Sequence, residues 1–197
     1  EAPLAPLGVR ASALNAEYEA QAAVSTLTRA LTDPSVGRLA LVSSFGAEAV
    51  VLLHMVAQID RTTPVIFLDT EMMFPETIRY QAELAKRFGL RVTRVSPDPT
   101  EAFLEDSETD LHDRDPDACC DLRKARPLAR ALEPFDGWIT GRKRYQGGQR
   151  TQMPVVEVED GRIKINPLAR WRPEDVTDYI DNNRLPRHPL LARGFAS

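Results

Sequence analysis

Four short segments of this chain combine residue types that can hold an anion or carry out thiol chemistry. The first is Ser43-Ser44-Phe45-Gly46-Ala47-Glu48. Two hydroxyls and a glycine, set where an apolar run turns into a helix, offer side-chain donors and backbone amides to an oxyanion. It is not a Walker A loop, which ends in Gly-Lys-Ser/Thr. The second is Leu68-Asp69-Thr70, polar groups at the end of an apolar run, suited to hydrogen-bonding a ribose or a base. The third is Cys119-Cys120, followed by Arg123 and Lys124. Neighbouring side chains on a helix diverge by about 100°, so both thiols reach one ligand only if it is large. An iron–sulfur cluster is large enough, whereas a single zinc usually wants two intervening residues. A vicinal disulfide is strained, and the remaining alternative is a pair of small buried side chains. The fourth is the basic loop Gly141–Arg150, with Arg142, Lys143, Arg144 and Arg150 around a Gly-Gly middle. Arginine forks suit phosphate and sulfate oxygens.

The elements that must position these segments alternate between strand and helix. Short apolar runs at Arg38–Phe45, Pro64–Thr70 and Gly137–Thr140 read as buried parallel strands, and Arg91–Ser96 as a further strand. Between them, 46–59 reads as an apolar helix and 74–88 as an amphipathic one, with Pro75 in its first turn and Gly89 just past its end. The acidic stretch up to Asp117 shows little periodicity, and Cys119–Leu132 reads as a helix that Pro127 must kink or interrupt. A single helix is expected over 15–31, a hairpin across Asp160-Gly161, and a last helix over 173–183. This order predicts an α/β fold: a doubly wound, mainly parallel sheet flanked by helices, with ligands at the carboxyl ends of the strands. The expected organisation is one domain over 1–197, with a helical N-terminal segment over about 14–32.

Composition narrows the function. At 43 % hydrophobic and 27 % charged the chain is ordinarily globular. No apolar run approaches the roughly 18 residues of a membrane helix, so no membrane partner is expected. The net charge of −4 argues against nucleic acid. Charge is segregated, with nine acids against one base over 95–118 and eight bases against three acids over 121–153. That pattern reads either as solvated surface or as a basic pocket for a small anion. Two cysteines without a secretion signal point to a reducing, cytoplasmic setting. The chain does not begin with Met, so a longer natural protein is expected. His54 reads as a core histidine, and His112 and His188 have no visible catalytic partner in the sequence.

Taken together, these motifs resemble the assimilatory phosphoadenylyl-sulfate and adenylyl-sulfate reductases, which have an adenine nucleotide alpha-hydrolase-like fold. The matching pieces are Ser-Ser-Phe-Gly-Ala-Glu (43–48), Leu-Asp-Thr…Phe-Pro-Glu-Thr (68–77), Cys-Cys…Arg-Lys (119–124), Thr-Gly-Arg-Lys-Arg (140–144), Lys164-Ile-Asn-Pro-Leu168 and Glu174-Asp-Val…Tyr-Ile180. The resemblance implies substrate binding by Ser43, Ser44, Gly46, Asp69, Thr70, Arg123, Lys124, Arg144 and Arg150. It implies that Cys119 and Cys120 are two of the four ligands of a 4Fe-4S cluster, which marks the branch acting on adenosine 5′-phosphosulfate (APS) rather than its 3′-phosphorylated form. It also implies reduction to sulfite and AMP through a cysteine S-sulfonate, with thioredoxin or glutaredoxin as the donor. The Cys-x-x-Cys pair that completes the cluster and the nucleophilic cysteine are expected beyond Ser197, so no catalytic residue is expected within the chain. Glu71 departs from the family's usual glycine after Asp-Thr. A homo-oligomer is left open. Two rivals remain: an ATP pyrophosphatase of the same fold, whose Ser-Gly-Gly-x-Asp-Ser loop is absent here, and a non-catalytic nucleotide- or cluster-binding module.

Overall fold

The structure, a computed structural model, describes residues 3–194. Six strands form one sheet in the order β3-β2-β1-β4-β6-β5: β1 (Leu39–Ser43), β2 (Pro64–Leu68), β3 (Arg91–Val95), β4 (Gly137–Ile139), β5 (Val156–Glu159) and β6 (Arg162–Ile165). All neighbours are parallel except β5, which returns along β6 as an antiparallel edge. The β5–β6 turn falls at Asp160-Gly161, where both residues take positive φ (50° and 72°), the signature of a tight hairpin turn. Leu41 pairs with Val65 on one side of β1, and Leu39 with Gly137 on the other.

The central strands alternate their side chains between two apolar layers. Leu39, Leu41, Val65, Phe67 and Ile139 face the larger layer, together with α3 (Ala49–Ile59), α4 (Pro75–Phe88) and α9 (Pro173–Asn182). Ala40, Ile66 and Trp138 face the other, where α8 (Arg126–Leu132) contributes Leu128 and Leu132. Helices thus cover both faces, which is why β1, β2 and β4 read as apolar runs, whereas the edge strand β3 is largely exposed. Helix α4 begins at Pro75 and stops at Gly89, whose φ of 67° is the left-handed cap expected there.

Three sequence expectations change. The helix expected over 15–31 is two helices, α1 (Leu7–Tyr18) and α2 (Ala23–Thr32), separated at Ala22 by an extended residue. No proline or glycine marks the break. Tertiary partners impose it: α1 packs on β5, where the Asn15 side chain accepts the Val156 N–H at 2.9 Å, while α2 packs on α3. Second, the acidic stretch is mostly helical, with α5 (Pro99–Asp106), α6 (Leu111–Arg114) and α7 (Pro116–Cys120). Its acids are structural. Asp98 accepts the N–H groups of Thr100 and Glu101, and Asp115 accepts that of Ala118, each just ahead of a proline in the helix's first turn. Third, Pro127 causes no break. A π-helical turn over Asp121–Ala125 widens the helix, with the Arg126 N–H bonding the Asp121 carbonyl, and Pro127 then sits in the first turn of α8.

The segment carrying the two cysteines is tied through Arg123 to the end of α5 by a buried ion pair and to the end of β2 by a hydrogen bond. Arg123 is 4 % exposed and Asp106 2 %. The guanidinium donates to Asp106 Oδ2 at 2.6 and 3.2 Å and to the Thr70 carbonyl, just past β2, at 2.8 Å. Asp106 Oδ1 accepts the Leu111 N–H at 2.8 Å. Burial pushes the Asp106 carboxyl up, but the Arg123 and Leu111 bonds outweigh it and hold it below its ordinary range.

Two stability predictions follow from these contacts. A Cβ on Gly137 would sit 2.3 Å from the Ile163 carbonyl oxygen. Gly137→Ala is therefore expected to cost on the order of 1–3 kcal/mol, read as a lowered urea midpoint; an unchanged midpoint would contradict the close packing of β4 on β6. Asp106→Ala leaves Arg123 buried and unpaired, and is expected to cost about 3–5 kcal/mol. Because the Asp106 carboxyl is depressed in the fold, its contribution is complete above the ordinary carboxylate range and fades as pH falls through the depressed value. The difference in stability between wild type and Asp106→Ala should accordingly shrink on acidification.

Candidate functional site

Strand β1 lies between β2, from which the chain winds on to β3, and β4, from which it winds the other way. The loops leaving the carboxyl ends of β1 and β4 therefore diverge and leave a crevice, the switch point at which such sheets bind ligands. A cavity of about 660 Å³ opens there. The loop after β1 supplies Ser43, Ser44, Gly46 and Glu48, and the loop after β4 supplies Gly141, Arg142, Lys143, Tyr145 and Arg150. Leu68, Leu128 and Trp138 line its apolar part.

The loop after β1 is shaped by a local hydrogen bond and one strained residue. Ser43 Oγ accepts the Phe45 N–H at 3.1 Å. Phe45 takes a φ of 56°, a conformation L-residues visit at a cost. Its ring, fully buried edge-on against Phe67 at 5.1 Å, holds it there. The chain then turns into α3, and the N–H groups of Gly46, Ala47 and Glu48 have no partner among the described residues. This is the amide-rich helix entrance expected from sequence.

The loop after β4 is anchored from below and from its far end. Thr140 Oγ1 donates to Asn166 Oδ1 at 2.5 Å, and the Asn166 amide donates to Glu157 at 2.8 Å and the Pro154 carbonyl at 3.1 Å. Gln146 Oε1 accepts both the Lys143 N–H (3.1 Å) and Arg150 Nη1 (2.7 Å). Gly147 and Gly148, with φ of 78° and 60°, allow the tight return between them.

The two loops meet through Lys143, Glu48 and Tyr145, which lie in motifs singled out from sequence but were not named there as substrate contacts. Lys143, almost fully buried, places its Nζ 2.8 Å from Glu48 Oε2 and donates to the Gly141 carbonyl at 2.8 Å. The Tyr145 hydroxyl donates to Glu48 Oε1. Burial pushes the Glu48 carboxyl up, but the Lys143 and Tyr145 bonds prevail and hold it below its ordinary value. Burial, and then the Glu48 carboxylate, push the Tyr145 phenol up. Tyr145 lies 97 positions from Glu48, and no local pattern announces that contact.

The candidate residues divide into two groups. Ser43, Ser44, Gly46 and Arg150 line the cavity. Asp69, Thr70, Arg123 and Arg144 are engaged in holding its surroundings. Asp69 is buried, paired with Arg94, and accepts the Glu71 N–H at 2.8 Å. Thr70 offers its carbonyl to Arg123. Arg144 reaches away from the cavity, to the Met153 carbonyl and Glu19, both at 2.7 Å. Lys124 is exposed on the π-helical turn. Of the histidines, His54 bonds the Tyr179 hydroxyl at 2.7 Å and His188 bonds Thr77 Oγ1 at 2.9 Å.

Cys119 and Cys120 end α7, one π-turn from the Arg123 anchor. Both are free thiols; Cys119 is buried with Leu111 and Leu122, and Cys120 is exposed. A four-iron cluster takes about four thiolates. No group of three His, Cys, Asp or Glu side chains that could hold a metal occurs among the described residues. The described residues therefore supply no complete cluster site. Among them, too, no helix is long and apolar enough to cross a membrane.

Comparison with known proteins agrees with the geometry. Residues 38–197 match the phosphoadenosine phosphosulfate reductase domain. An adenosine 5′-phosphosulfate reductase of Chelativorans sp. is 49 % identical over 82 % of this chain and 66 % of that protein, just under two thirds of its length. Another, of Mesorhizobium japonicum, is 45 % identical over 97 % of this chain and 76 % of that protein. A phosphoadenosine 5′-phosphosulfate reductase of Xanthomonas campestris is 37 % identical over 94 % of this chain and 78 % of that protein. Among solved structures, a phosphoadenylyl-sulfate reductase from Candida auris in complex with phosphate superposes with a TM-score of 0.80 at 27 % identity, covering 100 % of this chain and 96 % of that one. The FMN adenylyltransferase of Candida glabrata shares the fold alone, with a TM-score of 0.62 at 15 % identity, over 98 % of this chain and 71 % of that one. A cavity at the β1/β4 switch point and a family match over most of the sequence lead to one assignment: the chain belongs to the phosphoadenosine phosphosulfate reductase family.

Proposed function

We propose that the β1/β4 cavity binds APS, and that the protein to which this chain belongs reduces it to sulfite and AMP in sulfate assimilation. The observation that carries this reading is the cavity itself, with the amides and hydroxyls of 43–48 on one side and Arg142 and Arg150 on the other. The partly apolar wall of Leu68, Leu128 and Trp138 suits a base, and the polar rim suits a phosphosulfate. The names of the Chelativorans and Mesorhizobium relatives favour APS; that of the Xanthomonas relative makes the 3′-phosphorylated nucleotide the alternative.

In this reading Ser43, Ser44, Gly46 and Arg150 contact the nucleotide or its phosphosulfate directly. Asp69, Thr70 and Arg123 set the strand-end rim, Arg144 tethers the basic loop, and exposed Lys124 is left to meet the substrate's outer end. A thiolate attacks the sulfur of APS, forming an S–S bond, and the S–O bond to the phosphate breaks with its electron pair leaving on AMP. Arg150 and the loop amides stabilise the charge gathering on that phosphate. In this reading the attacking thiolate belongs to a cysteine other than Cys119 and Cys120, which are assigned to the cluster. A thiol of thioredoxin or glutaredoxin then attacks the S-sulfonate cysteine, releasing sulfite as a mixed disulfide forms, and a second thiol of the donor resolves it. Cys119 and Cys120 would hold one side of a 4Fe-4S cluster, whose charge would act on the bound phosphosulfate. A cytoplasmic setting accords with this thiol chemistry.

Calorimetric titration of this chain with AMP and APS tests the binding step. Both are expected to bind, and Arg150→Ala is expected to weaken APS by roughly tenfold or more, the cost of one charged hydrogen bond. Failure of wild type to bind either nucleotide would overturn the reading. With the full-length protein, APS and reduced thioredoxin, sulfite and AMP should appear in equal amounts.

A further inference from the structure

The cavity buries little uncommitted positive charge. Of its lining cations, Arg142 is exposed and Arg150 partly so, while Lys143 keeps only 3 % of its side-chain surface. That buried ammonium sits 2.8 Å from Glu48 Oε2 and donates to the Gly141 carbonyl at 2.8 Å, while the Tyr145 hydroxyl takes the other Glu48 oxygen. The second lining carboxylate, Glu159, is likewise matched, at 3.2 Å, by Lys164, whose side chain is 1 % exposed. Each carboxylate at the cavity thus cancels a buried lysine. Arg142 and Arg150 remain for a ligand, a count suited to the phosphate and sulfate of one phosphosulfate.

We propose that Glu48 is a specificity residue: by neutralising Lys143 at the cavity wall it selects against a second phosphate on the bound nucleotide. This rests on the reading of the cavity as a nucleotide site. A phosphate monoester carries close to two negative charges near neutral pH. Within a partly desolvated cavity it meets the Glu48 carboxylate as a like charge, and finds Lys143 already committed. Gln at position 48 keeps the shape and an acceptor oxygen for Lys143 or Tyr145, removes the negative charge and leaves the ammonium free to attract the additional phosphate. Discrimination therefore comes from a repulsive element inside an otherwise cationic site.

The test compares AMP with adenosine 3′,5′-bisphosphate, two unreactive probes that differ only in the second phosphate, by calorimetry on this chain. Wild type is expected to bind AMP at least tenfold more tightly than the bisphosphate. Glu48→Gln is expected to narrow that ratio to threefold or less, and the double variant Glu48→Gln/Lys143→Met to restore it. A wild type that binds the bisphosphate as tightly as AMP overturns the inference, as does a ratio that Glu48→Gln leaves in place. If Glu48→Gln fails to fold by circular dichroism, the wild-type ratio decides: a tenfold preference for AMP supports the inference, and its absence overturns it. Loss of all nucleotide binding by wild type would instead count against the nucleotide reading itself.

Discussion

The carboxyl end of β1 is where the two windings of this sheet separate, and the geometry of the site follows from that one topological constraint. Strand β1 is buried on both faces and hydrogen-bonded on both edges, so the chain leaving it must rise above the sheet. Its neighbours carry the chain away in opposite directions, and the space between the two exits cannot be filled by either crossover helix. What fills the rim instead is charge. Apolar side chains seal the layers below, and above them many of the charged groups are answered by another protein group, while the amides of 46–48 are left open among the described residues.

Several of those answers are ion pairs with at least one buried partner: Arg123 with Asp106, both buried, and the buried Lys143, Lys164 and Asp69 with the more exposed Glu48, Glu159 and Arg94. Pairs of this kind add little net stability, because desolvation offsets most of the attraction. They do restrict geometry, since breaking one leaves a buried charge uncompensated. Three of them join separate elements, and the fourth, Lys164 with Glu159, spans five positions of the β5–β6 hairpin. Arg123 binds the cysteine-bearing turn to the end of β2, Lys143 binds the loop after β4 to the loop after β1, and Lys164 holds the β5–β6 edge beneath the cavity with Trp138 under its ammonium, 5.5 Å from the ring centroid. The site is thus held by contacts that are costly to break although they contribute little to the total.

How much of this is legible in sequence depends on the range of the interaction. Strands β1 to β4 and α4 are local: runs of strand-forming residues, a first-turn proline and a terminal glycine are enough, and the structure reproduces them within a residue or two. The switch-point location follows from strand–helix alternation, so Ser43, Ser44, Gly46 and Arg150 fall on the cavity. Capping by Asp98 and Asp115 was also written locally, as Asp-Pro at two helix starts, but the density of acids in that stretch masked it. The break between α1 and α2 was not local; two different packing partners impose it on a run of alanines with ordinary helical spacing. The employment of Arg123 and Arg144 in anchoring, and the Lys143–Glu48–Tyr145 cluster, are set by pairings across the sheet that no local pattern encodes.

A division of labour between buried and exposed cations follows. Glu48 pairs with the buried Lys143 ammonium and fixes its position at the cavity wall before any ligand arrives. The exposed Arg142 and the partly exposed Arg150 give up less hydration when they meet an anion, so under the proposed function the attraction of a nucleotide falls to them. Product departure sets the opposite requirement. On the proposed function, a cavity whose every cation were free would hold AMP as firmly as the phosphosulfate, and binding that is equal for both speeds no chemical step. By committing its most buried cation to a carboxylate, the fold keeps shape at the cavity wall and leaves the adjustable attraction at the rim.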